Sequence, residues 1–157
     1  MHGRDAKWRP GQLELLMKFD SGDTLGILPT NGGKGDVMLL AGLVRLFSLR
    51  KNKPIRALDG KLIPYINLVY VPTTSLIEDL EICSRFYHAG KKLNLSCCFL
   101  GSTQTDRGVY DRAGAGVFDF VLGTPEKFSK FIPRFTNGPN PGFITACELY
   151  DEVHTLL

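Results

Sequence analysis

Leu28-Pro29-Thr30-Asn31-Gly32-Gly33-Lys34-Gly35 joins a short apolar run, Thr24–Leu28, to a longer one that begins at Asp36. The first run has the length of a strand. The second, Asp36–Leu49, is apolar on almost every side, as in a helix buried against a sheet. Asp36, near its start, suits the positive end of the helix dipole. Between them, Gly32 and Gly33 free the backbone to wrap an anion, and a lysine follows with a helix N-terminus behind it. Those are the needs of a loop that holds phosphates. One element is missing: the Ser or Thr that usually follows the lysine and holds Mg²⁺ is Gly35. Taken alone, the stretch reads equally well as a plain glycine turn.

Outward from this stretch, apolar and polar segments alternate. Gln12–Phe19 puts Leu13, Leu16, Met17 and Phe19 at helical spacing, and Ser21-Gly22-Asp23 is a turn. Residues 50–65 hold Arg50, Lys51, Lys53, Arg56 and Lys61 with two prolines and a glycine, and read as an exposed basic loop. Two readings stay open for it, a solvated linker and a loop that touches phosphates. Asn67–Val71, Leu95–Leu100, Phe118–Leu122 and Phe143–Tyr150 read as strands, Glu148 being odd inside the last. Leu76, Leu80, Cys83 and Tyr87 predict a helix over Ser75–Tyr87. Thr124-Pro125-Glu126 reads as a helix start, with Thr124 as cap and Pro125 at the first position. Pro133–Pro141 reads as a turn-rich loop. Strands separated by helices imply an α/β fold, a mostly parallel sheet flanked by helices. Ligands of such sheets bind beyond the carboxyl ends of the strands.

The bulk properties fit one soluble domain: 157 residues, 43% apolar and 22% charged. A net charge of +3 permits a nucleic-acid partner without arguing for one. Cys83, Cys97, Cys98 and Cys147 show no CxxC spacing and no histidine that completes a zinc set. Reduced thiols in the cytoplasm or nucleus are expected. Neither a secretory signal nor an apolar run of membrane-spanning length is visible, so no membrane partner is expected.

A second chemical segment, Asp151-Glu152-Val153-His154, follows the last strand. An aspartate at a strand end can hold Mg²⁺, and a neighbouring glutamate can polarise water. By itself, a surface acidic pair is the better reading, and the segment gains weight only beside the lysine loop.

Five segments, taken in order, resemble the RecQ-like branch of the superfamily-2 DExH helicases. Trp8-Arg9-Pro10-Gly11-Gln12 resembles the opening F-R-P-G-Q of that branch. Leu28–Lys34 resembles its motif I, M-P-T-G-G-G-K-S. Val69-Tyr70-Val71-Pro72-Thr73-Thr74-Ser75-Leu76-Ile77-Glu78-Asp79 resembles motif Ia, and Val121–Lys127 resembles the Y-x-T-P-E-R segment. Tyr150–His154 resembles motif II, I-D-E-A-H. The resemblance spans nearly the whole chain. It implies the first RecA-like, P-loop domain of an ATP-dependent 3′-to-5′ DNA helicase, with ATP and Mg²⁺ as cofactors.

Roles follow by position. Gln12 would read the adenine edge, with Arg9 nearby and Trp8 either beside it or in the core. Thr30, Asn31, Gly32, Gly33, Lys34, Gly35 and Asp36 would surround the phosphates. Lys34, Asp151, Glu152 and His154 would be the catalytic set, with Asp151 on Mg²⁺, Glu152 on the water and His154 coupling to DNA. Pro72, Thr73, Thr74, Thr124 and Pro125 would line the path of a single-stranded tail or duplex junction.

Two departures from the family temper this. Gly35 deprives Mg²⁺ of a ligand, so hydrolysis is expected to be weak. The family's second RecA-like domain is not contained in residues 1–157, so the chain reads as a partial motor, inactive alone, for which that C-terminal domain would be a partner. A degenerate, non-catalytic nucleotide- or nucleic-acid-binding remnant is the alternative. An unrelated P-loop kinase fits poorly, because neither the Gln12 segment nor the DExH-like segment is expected there.

Overall fold

The structure is a computed structural model that describes residues 7–19, 22–27, 33–72, 94–101, 104 and 106–151. Among the described residues the elements run α1 (Gln12–Phe19), α2 (Lys34–Asn52), β1 (Ile55–Arg56), β2 (Leu62–Ile63), β3 (Tyr65–Tyr70), β4 (Cys97–Leu100), α3 (Val109–Gly114), β5 (Phe120–Gly123), α4 (Pro125–Thr136) and β6 (Ile144–Tyr150). Four strands form one parallel sheet in the order β4-β5-β3-β6, and β1 and β2 pair as a separate antiparallel hairpin. The fold is therefore α/β, a parallel sheet covered by helices.

Alternation along the strands divides the core into two layers. Ile66 and Leu68 of β3 and Val121 of β5 point to one face, where Val109 and Ala113 of α3 and Phe128 and Phe131 of α4 cover them. Val69, Phe120, Leu122 and Leu149 point to the other, against Leu39, Ala41 and Leu43 of α2. Contact on this side is close at Gly42, where an added Cβ would come within 2.7 Å of the Phe120 ring. Asn67 interrupts the apolar row. Its amide donates to Gly42 O at 3.0 Å, and its buried Oδ1 has no hydrogen-bond partner.

Three expectations need correction. Thr24–Leu28 does not join the sheet as a strand over its described part. Asp23–Ile27 carries no regular structure, and Leu25 and Ile27 are 72% and 91% exposed. A cleft of about 810 Å³ is lined by Gly22–Thr24, Arg45 and Thr145–Glu148, between this segment and β6. The expected burial of α2 against the sheet is present: Leu39, Ala41 and Leu43 pack on it, while Val44 and Phe47 face solvent. Residues 50–65 are exposed for the most part but are not all loop. They end α2, form the β1–β2 hairpin and enter β3.

Finally, α4 continues through Pro133 to Thr136. Phe128, Phe131 and Phe135 fall on one stripe, and Phe131 stacks on Phe143 with centroids 5.6 Å apart. Burial of that stripe outweighs the backbone bond lost at the proline.

The short helix α3 was not foreseen. Six residues are too few to show a period, and Asp106 starts it by accepting from Gly108 N at 2.9 Å while pairing with Arg112. The predicted helix Ser75–Tyr87 lies outside the described residues. Among those residues, no helix is long and apolar enough to cross a membrane.

Candidate functional site

α2 runs antiparallel to the strands beneath it. Its start packs with Val69, Leu122 and Leu149, near the strand ends. Leu46, further along, packs with Tyr65 and Ala146, and the Tyr65 hydroxyl at the start of β3 donates to Lys53 O at 2.6 Å. Lys34, the first residue of α2, therefore lies at the carboxyl edge of the sheet. Asp151 follows β6 at the same edge, and its N–H extends the ladder to Tyr70 O at 2.9 Å. Pro72 follows β3 there, and Thr124 and Pro125 follow β5. Segments far apart in the chain are thus gathered at one edge. Thr30, Asn31, Gly32, Thr73, Thr74, Glu152 and His154 lie outside the described residues.

Gly33 is the hinge of the loop. It caps α2 in the left-handed region, at φ 74° and ψ 35°, and accepts from Asp36 N and Val37 N. A side chain there would meet both the backbone restriction and the amide of Gln12. Gln12 is 6% exposed. Its Nε2 donates to Gly33 O at 3.3 Å and its Oε1 accepts from Arg9 N at 2.8 Å. The amide thus ties α1 to the glycine loop, and its polarity is no sign of a surface position. Arg9 is exposed and Trp8 is half exposed, so Trp8 is not a core residue.

The first amides of a helix have no partner within it. With Lys34 beside them and a 19-residue helix behind, they suit an anionic phosphate. Two features oppose it. Gly35 offers no hydroxyl, and Asp36 turns its carboxylate back over Gly33, toward the ground a phosphate would take. Among the described residues no group of three or more His, Cys, Asp and Glu could hold a metal ion, and Glu152 and His154 lie outside those residues. Thr124 Oγ1 accepts from Lys127 N at 3.4 Å and Pro125 opens α4, so the predicted cap is present.

Three residues at this edge escaped sequence reasoning. Tyr70 and Tyr150 close β3 and β6, pair in register, and stack with centroids 4.3 Å apart. Tyr150 donates to Glu148 Oε2 at 2.6 Å. Burial raises the pKa of both phenols, and the bond to Glu148 adds to the rise at Tyr150. Glu148 is therefore not an intruder in a core strand but an exposed edge residue with a partner. Tyr150 is 42% exposed beside Asp151, and such a ring can stack a base. A tyrosine at or next to the end of two candidate strands, Asn67–Val71 and Phe143–Tyr150, was the available signal.

Among the described residues, Cys97, Cys98 and Cys147 carry reduced thiols and belong to no group that could hold a metal ion. Burial pushes the Cys98 thiol far up and the Cys147 thiol to about 11, which leaves both as thiols at neutral pH.

No protein-family model matches this chain. A search of curated proteins finds no match either.

Proposed function

We propose that this chain is the ATP- and DNA-binding portion of a RecQ-like, ATP-dependent 3′-to-5′ DNA helicase, built on a RecA-like P-loop domain and weakly active or inactive alone. The observation that carries this reading is the shared edge. Lys34 at the start of α2, Asp151 after β6, and Thr124–Pro125 after β5 occupy one rim of a parallel sheet, where α/β folds bind ligands.

In this reading Lys34 and the amides of Gly33 and Gly35 hold phosphates, and Asp151 serves Mg²⁺. Magnesium would neutralise charge on the phosphates and orient water for their hydrolysis. Pro72, Thr124 and Pro125 lie along the strand path, with the Tyr150 ring offering a face to a base. Gly35 and Asp36 favour the second reading, a nucleotide- or nucleic-acid-binding remnant without hydrolysis, because they remove one metal ligand and set a carboxylate against the phosphates.

Calorimetry with Mg-ATP tests the site. Binding heat from the native chain that disappears in Lys34→Ala is the expected result. Equal heats from the two proteins would remove the phosphate-loop assignment. Steady-state ATP turnover separates the two readings, since restoration by Gly35→Ser points to a motor and continued silence to a remnant.

A further inference from the structure

Charge is not spread evenly over this molecule. Residues 50–64 carry five cations, Arg50, Lys51, Lys53, Arg56 and Lys61, against one carboxylate, Asp59. Their formal charge is +4, while the whole chain carries +3. The remainder of the protein is therefore slightly acidic. This segment ends α2 and forms the β1–β2 hairpin, at the amino edge of the sheet. A helix of this length puts it about 27 Å from Lys34.

The segment is held in place. Arg50 pairs with Asp119 at 2.6 Å and donates to Tyr65 O at 3.0 Å. The turn over Ala57–Gly60 closes through Gly60 N to Ala57 O, with Gly60 at φ +83°. Arg56 donates to Gly60 O at 2.7 Å, and Leu58 N donates to Asn140 Oδ1 across the molecule. These bonds fix the backbone while Lys51, Lys53, Arg56 and Lys61 stay exposed, Lys61 in a solvent-exposed pair with Asp59 at 3.0 Å that a phosphate can displace. Cations displayed on a braced support at one end of the molecule suit a polyanion.

We propose that the end of α2 and the β1–β2 hairpin form a second nucleic-acid contact, one that grips the phosphate backbone of duplex DNA without reading its sequence. It rests on the nucleic-acid half of the proposed function and is independent of the nucleotide half. An anionic membrane is the competing polyanion. The hairpin suits it less: residues 50–64 include no aromatic residue, and Asp59 sits beside the exposed Leu58 at the tip, where headgroups would crowd.

Anisotropy of a labelled 20-base-pair duplex, titrated with the native chain at NaCl between 50 and 200 mM, tests the proposal. Each phosphate contact contributes about 0.9 to the slope of log K against log salt. Replacing three contacts with Lys51→Gln, Lys53→Gln and Lys61→Gln should flatten the slope by about 2.7. It should weaken unrelated duplexes equally. Arg56 stays native because it holds the turn.

If the triple variant unfolds, Lys51→Gln with Lys53→Gln spares the hairpin and should flatten the slope by about 1.8. An unchanged slope would overturn the proposal, as would absence of duplex binding by the native chain. Loss of binding to phosphatidylserine vesicles with duplex binding intact would overturn it in favour of a membrane. A variant that loses duplex binding while the native chain gives no ATP heat sinks the motor reading and leaves this site standing. Native ATP heat with an unchanged salt slope does the reverse.

Discussion

The two ends of the sheet are built differently. At the amino edge, polar side chains cross-brace the backbone. Asp119 accepts from Ser96 N at 2.8 Å and Ser96 Oγ at 3.0 Å and pairs with Arg50, while Tyr65 ties β3 to the end of α2. At the carboxyl edge, support comes from helix starts and ring stacking: Gly33 and Thr124 begin α2 and α4, and Tyr70 lies against Tyr150 and Phe128. The contrast fits a division of labour. One end commits its polar groups to architecture, and the other gathers the start of α2 and the ends of β3, β5 and β6 where ligands of such sheets bind.

The largest effect should come from breaking the amino brace. Asp119 is 13% exposed at its side chain and engages three donors on two elements. Asp119→Ala should destabilise by about 3 kcal/mol, because bonds to a charged group are the strong ones and their donors would be left without partners. The melting temperature should fall by roughly 6–12 °C. Urea unfolding followed by circular dichroism reads this. A loss under ~1 kcal/mol would mean the brace is ornamental, and the contrast between the two ends would collapse.

How far this architecture was legible follows from the same bonds. Short apolar runs announced β3, β4, β5 and β6, because buried parallel strands leave little room for polar residues. Thr124-Pro125 announced α4, because capping is local chemistry. Pro133 misled, since the stripe of Phe128, Phe131 and Phe135 that carries the helix past it is buried against residues distant in the chain, Tyr70 and Phe143 among them. The hairpin was hidden because two-residue strands have no period. Thr24–Leu28 resembled a strand in composition, but pairing depends on what lies beside it.

At the site, Gly33, Lys34 and Asp151 were readable from residue type and order. The Tyr70–Tyr150 pair was not, since it exists only through the register of β3 against β6. The tie from Gln12 to Gly33 O was hidden as well, because the two residues are 21 positions apart.

At the carboxyl edge a smaller loss is expected from Thr124→Ala. The hydroxyl satisfies Lys127 N at a single helix start, and removing such a cap costs about 1 kcal/mol. Thr124→Ser should restore most of it. A loss as large as that of Asp119→Ala would show that this edge is braced as heavily as the other.

The smallest effect is the most telling, because it should have opposite signs in two measurements. Asp36 lies in the first turn of α2 with its carboxylate near Gly33, so it stabilises the helix start and repels an incoming phosphate. Asp36→Asn should lower stability by about 0.5 kcal/mol, within the usual range for a charge at a helix N-terminus. The same change should raise affinity for inorganic triphosphate, measured without magnesium, by about 2- to 5-fold, because it removes a negative charge beside the helix start that the anion approaches. An edge reserved for ligands must give up stability to keep its amides open, so the two responses are linked. If Asp36→Asn weakened triphosphate binding as well as the fold, the carboxylate would be part of the loop's architecture, and the carboxyl edge would have to be reclassified with the braced end of the sheet.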